Sequence, residues 1–451
     1  MQTQSILQRR LCLTLALFLM LLPAAVFYLI LWKNAVRIPI LDDYHIVLAG
    51  ANVLSSSHGC FPKLLYVLTA QHNGYKLMFE NAVVVVQYSL FGQVAFPPLV
   101  ALGNSFALLI FLTVYSMFRG APGDLPRRCL LFVPVAYLMF QLQYSSALDF
   151  ASSSLQHLSV ICFSFLTISL LGRNSRWLFA GACISFVLAV ASSPNGFFVA
   201  PIGLLMLGHL KRFWRIPVWV GTVALMLALY LFRYGRTTSP EMMHGSAGIL
   251  THINILYALS FLGSSAAGYV SLAPSLALGL ALCGVFSFAA NRLYFQRNPA
   301  VFYSMLFILI NALAISGLRS DLGLTQSLAS RYRTYSNLFL VFSYMFLIED
   351  LTSIFNRRSF RRGVVIGAGV LSVAFCALSD LAGASFLHGK KQALIQRYRI
   401  QWKKDLAAND AVVTGNPALL RQMNAGVFDV NVPVMEESVR LGVYQPPLEL
   451  P

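Results

Sequence analysis

Long apolar runs recur along the chain, and they limit the folds that it can adopt. The first run, from Leu11 to Trp32, contains no charged residue. A helix needs about 20 residues to cross a bilayer. Of all residues 57% are hydrophobic and only 11% are charged, whereas soluble domains carry about 25% charged residues. The runs therefore predict an all-α, polytopic transmembrane bundle and exclude an ordinary soluble domain.

The basic residues indicate the orientation of this bundle. The net charge is +17, but the positive residues cluster in short loops between apolar runs, which is a topology signal and predicts no nucleic-acid partner. With the N-terminus in the cytoplasm, these loops fall on the cytoplasmic side if eleven spans are drawn. The predicted spans are residues 11–32, 95–118, 129–146, 155–172, 177–194, 196–210, 216–233, 271–291, 299–318, 334–355 and 363–383.

The longer connections then fall on the extracytoplasmic side. The spans make up a transmembrane domain, residues 1–383, with a first loop at residues 33–94. Within this loop, residues 61–70 and 76–92 are apolar but short or interrupted by charge, so we expect helices lying along the membrane surface. Residues 384–451 are polar and mixed. They predict a small extracytoplasmic tail with one amphipathic helix near residues 390–405.

Two adjacent carboxylates, Asp42 and Asp43, begin the first loop in a chain with only 16 acidic residues. One aspartate there is enough to cap a surface helix and to favour its dipole. A second is repelled by the first, and such pairs have perturbed pKa values that suit a general base or a metal ligand. We therefore take both residues as candidate catalytic groups, without separating their roles.

A second candidate group follows in the first loop. If residues 70–87 form a helix, His72, Lys76 and Glu80 lie on one face of it, at intervals of four residues. This pattern is also typical of a solvated amphipathic face. Glu80, however, precedes a very apolar stretch, and a carboxylate so close to the lipid needs a partner. Lys76 or a distant arginine would serve.

Three arginines, Arg319, Arg331 and Arg333, occupy a predicted extracytoplasmic loop, against the positive-inside trend. Arginine binds phosphate through two parallel hydrogen bonds and stays charged, so the cluster indicates an anionic phosphate at the outer face. Side chains reaching for lipid headgroups, or pairing with Asp321, are the alternatives.

Together these features resemble the GT-C superfamily of integral-membrane glycosyltransferases. The chain is also similar to a group of bacterial members that carry a DDW-like motif, an N-E-H-R-like motif and an S-R-Y motif. The matching segments here are Asp42-Asp43-Tyr44, His72-Asn73-Gly74-Tyr75-Lys76 and Ser330-Arg331-Tyr332. The middle segment differs most from the motif of that group, because Gly74 stands where the motif has an acidic residue after the asparagine.

The resemblance implies an inverting hexosyl- or pentosyltransferase of the bacterial inner membrane. Its donor would be a polyprenyl-phosphate sugar, and its acceptor a glycan or lipid-linked glycan on the outer side. Asp42 or Asp43 would be the base, and a divalent metal held by this pair is left open. The remaining candidates are substrate-binding: His72, Asn73, Lys76, Glu80, Arg319, Arg331, Tyr332 and Arg333. The rival interpretations are a lipid-linked glycan transporter (a flippase) and a non-catalytic protein of envelope assembly.

Overall fold

The computed structural model of the chain describes residues 2–56, 59–72, 74–121, 123–235, 253–267, 271–354, 358–413 and 432–445. Asn73, one of the predicted substrate-binding residues, lies outside them. The described part is almost entirely helical, which confirms the all-α prediction. Its helices are α1 (Gln2–Asn34), α2 (Ala49–Ser55), α3 (Cys60–Thr69), α4 (Met78–Phe91), α5 (Phe96–Met117), α6 (Leu125–Met139), α7 (Ala151–Leu171), α8 (Arg176–Ser192), α9 (Val199–His209), α10 (Ile216–Leu231), α11 (Ile255–Leu262), α12 (Leu272–Asn291), α13 (Tyr294–Arg297), α14 (Pro299–Arg319), α15 (Ser330–Ile354), α16 (Arg358–Val413) and α17 (Val432–Arg440).

Within the described residues, seven helices are long and apolar enough to cross a membrane, so the chain is a multi-pass membrane protein. Each of the eleven predicted spans coincides with a helix, but α6, α8, α9 and α15 are not among the seven, and the count of eleven stays a prediction. The seven segments are Ile6–Asn34, Phe96–Met117, Ala151–Leu171, Phe213–Leu231, Leu272–Asn291, Pro299–Leu322 and Gly363–Gln396.

Local signals in the sequence set the helix starts. Asp124 and Asn298 cap α6 and α14, accepting hydrogen bonds from the backbone N–H groups of Arg127 and Val301. Proline stands at the first or second position of α5, α6, α10 and α14, where its missing N–H costs nothing.

Helix α7 is the most enclosed of the seven candidate spans, with 72% of its apolar window buried. It packs against α5 and α8. The approach to α5 is close: a Cβ atom at Gly103 would lie 2.2 Å from Oγ of Ser154. Small residues at such contacts are typical of helix packing in membranes, where close van der Waals contact replaces the hydrophobic effect. The start of α7 therefore has a well-defined position.

Two parts of the first loop differ from expectation. Residues 70–87 are not one helix, because β1 (Gln71–His72) and β2 (Tyr75–Lys76) form a short antiparallel hairpin before α4. The loop begins with a turn at the acidic pair and a π-helical segment, Tyr44–Leu48, that leads directly into α2. The other predicted surface segments do form helices, α3 and α4.

The predicted boundary at residue 384 lies inside a helix, because α16 continues without a break from the last candidate span into the tail. Two side chains attach α16 to the break between α6 and α7. Asp380 accepts a hydrogen bond of 2.9 Å from the backbone N–H of Leu142, and Lys390 forms an ion pair with Asp149. The last helix, α17, packs on the first loop.

Candidate functional site

The acidic turn is held in place from both sides by apolar residues. Ile38 and Ile40 are buried beside Phe150, the residue before α7. Leu41 adopts a left-handed conformation with φ of 49°, and the backbone N–H of Asp43 returns to the carbonyl of Ile40 at 3.0 Å. This tight turn makes the two aspartate side chains point to different surroundings.

Asp43 is buried against the N-terminus of α7. Its Oδ1 accepts a hydrogen bond from the backbone N–H of Ser152 at 2.8 Å, and its Oδ2 accepts longer ones from Ala151 and Ile40. Loss of hydration raises the pKa of Asp43 to about 6, and these hydrogen bonds oppose the rise. Because its oxygens face backbone donors, Asp43 fixes the first loop to α7.

Asp42 faces outward, with 46% of its side chain exposed. Its Oδ1 lies 3.3 Å from Nε2 of His72, and the ring of His45 stacks on His72 with centroids 6.0 Å apart. The hydrogen bond from His72 lowers the pKa of Asp42, and the charges of His72, His45 and Arg331 lower it further, against partial desolvation. Asp42 is therefore an ionised and accessible carboxylate.

The hairpin brings His72 to Asp42. In the hairpin His72 pairs with Tyr75, and Gln71 pairs with Lys76. Gly74 has φ of 78°, a value that glycine adopts without strain in tight hairpin turns. The prediction that His72, Lys76 and Glu80 share one helical face is therefore wrong. His72 lies on β1, Lys76 on β2 and Glu80 on α4.

Lys76 points away from the acidic pair. It is fully buried, and its Nζ donates to the carbonyls of Leu229 at 3.3 Å and Phe232 at 2.5 Å, at the end of α10. Burial lowers the pKa of Lys76. Since the last carbonyls of a helix lack partners within it, this amine serves as a cap that attaches the hairpin to α10.

Glu80 is also fully buried, in the first turn of α4. Neither of its carboxylate oxygens has a hydrogen-bond partner among the residues that the structure describes. Burial raises the pKa of Glu80 well above the ordinary value. A buried carboxyl of this kind is neutral. Glu80 does not pair with Lys76, contrary to the expected charge compensation, and its place in substrate binding stays a prediction.

Two of the three predicted arginines, Arg319 and Arg331, act electrostatically on residues near the acidic turn. Arg331 lies close enough to Asp42 to act on its charge, and both Arg319 and Arg331 act electrostatically on His157 and Tyr257. Both arginines are half-buried. Within the described residues neither forms an ion pair with a carboxylate, Asp321 included. Two half-buried cations without such a partner are suited to binding an anion.

The other residues near the start of α15 anchor it. Ser330 hydrogen-bonds through its hydroxyl to Ser146, in the break before α7. Tyr332 is buried, with its ring centroid 4.9 Å from that of Phe261. Arg333 is buried as well, and its Nε donates to the carbonyl of Leu328 at 3.4 Å. Each of these contacts fixes the position from which the side chain of Arg331 extends.

His157 was not among the predicted site residues. It lies in the second turn of α7, half-buried, within electrostatic range of Arg319, Arg331 and Asp42. The neighbouring Gln156 forms a side-chain hydrogen bond with Tyr75 in the hairpin. The available signal was the placement of two consecutive polar residues, Gln156 and His157, inside an apolar span, where polar groups are costly and often functional.

The acidic pair does not fit a shared metal site. A divalent ion shared by Asp42 and Asp43 would need both carboxylates to face one point, whereas Asp43 is buried with its oxygens toward the backbone at the start of α7 and Asp42 faces outward. Among the described residues, no group of three His, Cys, Asp or Glu side chains is arranged to hold a metal ion. The residues that converge are instead one carboxylate, two arginines and three histidines.

No protein-family model matches the chain, and comparison with curated proteins finds no similar sequence.

Proposed function

We propose that the protein is a glycosyltransferase of GT-C type in a bacterial inner membrane. In this proposal eleven helices span the membrane, the N-terminus is cytoplasmic, and the C-terminus and the first loop are extracytoplasmic. The donor is a polyprenyl-phosphate sugar, and the acceptor is a hydroxyl of a glycan or lipid-linked glycan. The positive-inside distribution of the basic loops supports this orientation.

One observation carries the proposal: two segments far apart in the sequence meet at the start of α7. Ser330, beside Arg331, hydrogen-bonds to Ser146 just before α7, and Asp43, beside Asp42, accepts a hydrogen bond from Ser152 in the first turn of α7. Arg319 joins Arg331 in acting on His157 and Tyr257. An accessible carboxylate offers a base for one substrate, and the two arginines, which form no ion pair with a carboxylate in the described part of the chain, offer an anion site for the other. Transfer from a sugar phosphate to a hydroxyl needs both.

The anion site includes a helix start. Arg331 is the second residue of α15, a helix of 25 residues. The N-terminus of a helix carries partial positive charge and unpaired N–H groups, which favour phosphate. The donor phosphate would lie between this N-terminus and the guanidinium groups of Arg331 and Arg319. Its lipid chain would extend into the bilayer.

The reaction follows from these positions. The acceptor hydroxyl gives its proton to Oδ2 of Asp42, while Oδ1 stays hydrogen-bonded to His72. The acceptor oxygen forms a bond to the anomeric carbon as the bond from that carbon to the phosphate oxygen breaks. Attack from the face opposite the leaving group inverts the configuration. The phosphate leaves with the electron pair, and the arginines stabilise its charge.

The test uses the purified protein in lipid nanodiscs with polyprenyl-phosphate sugars and candidate acceptors. We expect Asp42→Asn to reduce sugar transfer by about 100-fold or more, since a positioned base contributes about 10²–10⁴ in rate, while the variant still binds the donor. Asp321→Asn is the matched control, because it removes an exposed carboxylate close in sequence to Arg319.

The rival functions give different results. A transporter would move lipid-linked glycan between leaflets without releasing polyprenyl phosphate, and a scaffold would do neither. If wild type and Asp42→Asn produce the same amount of transferred sugar, Asp42 is not the base and the proposal fails.

A further inference from the structure

Tyr444 of the tail contacts the segment that precedes the acidic turn. Tyr444 is 3% exposed, and its hydroxyl donates a hydrogen bond of 3.0 Å to the backbone carbonyl of Arg37. Arg37 lies just before Ile38 and Ile40, the two buried residues that lead into Asp42. The tail therefore holds the chain at the point where the acidic turn begins.

The same tail segment packs on the other side of the turn. Met435, Val443 and Tyr444 share a buried apolar cluster with Val47 and Leu48, which follow the acidic pair in the π-helical segment. The cluster also contains Ala151, the first residue of α7, whose N–H group contacts Asp43. The tail thus contacts the chain before the acidic pair, the chain after it and the helix that Asp43 caps.

Two hydrogen bonds fix the register of this packing. The N–H of Val94 donates to the carbonyl of Val443 at 2.8 Å, and Nδ2 of Asn52 donates to the carbonyl of Val434 at 3.2 Å. The ring of Tyr444 meets Phe96 edge to face, with centroids 5.6 Å apart. Directional contacts at both ends of residues 434–444 allow one docked position, whereas apolar burial alone tolerates sliding.

We infer that residues 432–445 are a clamp that positions Asp42 and Asp43, with Tyr444 as its principal positioning residue. Tyr444 acts by holding the carbonyl of Arg37, and through it the buried stretch that leads into Asp42. This inference rests on the proposed function for its catalytic consequence, but its structural consequence is measurable without any substrate.

The test compares Tyr444→Phe with Tyr88→Phe. Both substitutions remove one hydroxyl, and Tyr88 packs against the same apolar cluster, but its hydroxyl forms no hydrogen bond with the residues that the structure describes. Hydrogen–deuterium exchange measured by mass spectrometry reports the opening of residues 37–48. We expect Tyr444→Phe to speed exchange in this segment about two- to tenfold, the effect of one lost buried hydrogen bond, and Tyr88→Phe to leave it unchanged.

A second variant keeps the test decisive. Asn52→Ala removes the hydrogen bond to Val434 at the other end of the clamp and is expected to speed exchange in residues 434–444 and in residues 37–48 together. If Tyr444→Phe leaves exchange of residues 37–48 at the wild-type rate, or speeds it equally in α7 and α15, there is no clamp.

Transfer kinetics separate the clamp from the proposed function. Because the arginines are not on the tail, Tyr444→Phe should lower kcat for sugar transfer about two- to tenfold and leave KM for the donor unchanged. An equal rise in KM for the donor would contradict a positioning role. If the wild-type protein transfers no sugar while the exchange result holds, the proposed function fails and the clamp stands.

Discussion

The carboxylates of Asp42 and Asp43 belong to adjacent residues but lie in opposite environments. Asp42 is half-exposed and contacts His72 at 3.3 Å, whereas Asp43 is 1% exposed and accepts hydrogen bonds from the backbone at the start of α7. Because the environments differ, the two residues have different roles. Asp42 is free to take part in chemistry, and Asp43 maintains the geometry that allows it.

The first prediction concerns Asp43 and pH. The pKa of Asp43 is about 6 in the folded protein, against an ordinary value of 3.8, so the folded state disfavours its ionisation. The stability that Asp43 contributes is therefore fully present below pH 3.8, decreases as pH rises to about 6 and is constant above. At 1.36 kcal/mol per pKa unit, the change is about 3 kcal/mol.

Asp43→Asn isolates this effect, because asparagine does not titrate. Thermal unfolding of both proteins in nanodiscs should show wild type losing stability relative to the variant between pH 4 and pH 6.5. The contributions of the other carboxylates to the pH dependence are the same in both proteins and cancel in the comparison. A difference that stays constant over this range would show that Asp43 ionises freely and is not the buried group described here.

The second prediction concerns His72, whose hydrogen bond is the main reason that the pKa of Asp42 is lowered. The base must be ionised, so transfer is lost as pH falls through the pKa of Asp42. His72→Gln should move this acidic limb of the pH–rate profile to higher pH. His45→Gln is the control, since His45 acts on Asp42 through charge alone and should shift the limb less. If the acidic limb of the pH–rate profile stays in place in His72→Gln, a group other than Asp42 takes the proton of the acceptor hydroxyl.

The third prediction concerns the arginines. Arg331→Gln should weaken binding of a polyprenyl-phosphate sugar about 10- to 100-fold, because hydrogen bonds to charged groups contribute about 1.5–3 kcal/mol each. Arg331→Lys should give an intermediate loss, since lysine keeps the charge without the two parallel donors. Asp42→Asn should bind the donor slightly more tightly, because a negative charge near Arg331 is removed.

Binding is measured by titrating the labelled protein with donor in nanodiscs. Arg440→Gln is the control, as Arg440 is exposed and pairs with Glu437 within α17. Equal affinities of wild type and Arg331→Gln would exclude Arg331 from the phosphate site.

Much of the fold could be predicted from the sequence because a membrane span needs only length and apolarity. The runs that predicted eleven spans all coincide with helices. Asp42 and Arg331 were grouped in one predicted site because of two unusual charge placements on one predicted side. Such inferences depend on composition over many residues, and they tolerate errors of several positions at each boundary.

The remaining features depend on single residues. The hairpin could have been predicted, because Asn73-Gly74 is a strong two-residue turn signal. The spacing of four residues between His72, Lys76 and Glu80 favoured a helix instead. Lys76 was assigned to substrate binding because sequence cannot show that the end of α10 lies beside it. The separate directions of Asp42 and Asp43 follow from a left-handed residue, Leu41, a conformation uncommon outside glycine.

The last prediction tests how α16 supports the site. A Cβ atom at Gly383 would lie 2.5 Å from Cβ and 2.7 Å from the carbonyl oxygen of Leu142, whereas a Cβ atom at Gly389 on the same helix would meet nothing within 4 Å. The segment after Leu142 carries Ser146, which binds Ser330 beside Arg331. Gly383→Ala must therefore push α16 away from the segment that positions Arg331.

We expect Gly383→Ala to lower the free energy of unfolding by about 1–3 kcal/mol, the usual cost of overpacking, and to weaken donor binding as the start of α15 shifts. Gly389→Ala should be neutral or stabilising by up to about 1 kcal/mol, because alanine favours helix. Thermal unfolding and donor titration on both variants make the comparison. Equal stability of the two would mean that α16 does not pack on Leu142, and normal donor affinity in a destabilised Gly383→Ala would separate this contact from the site.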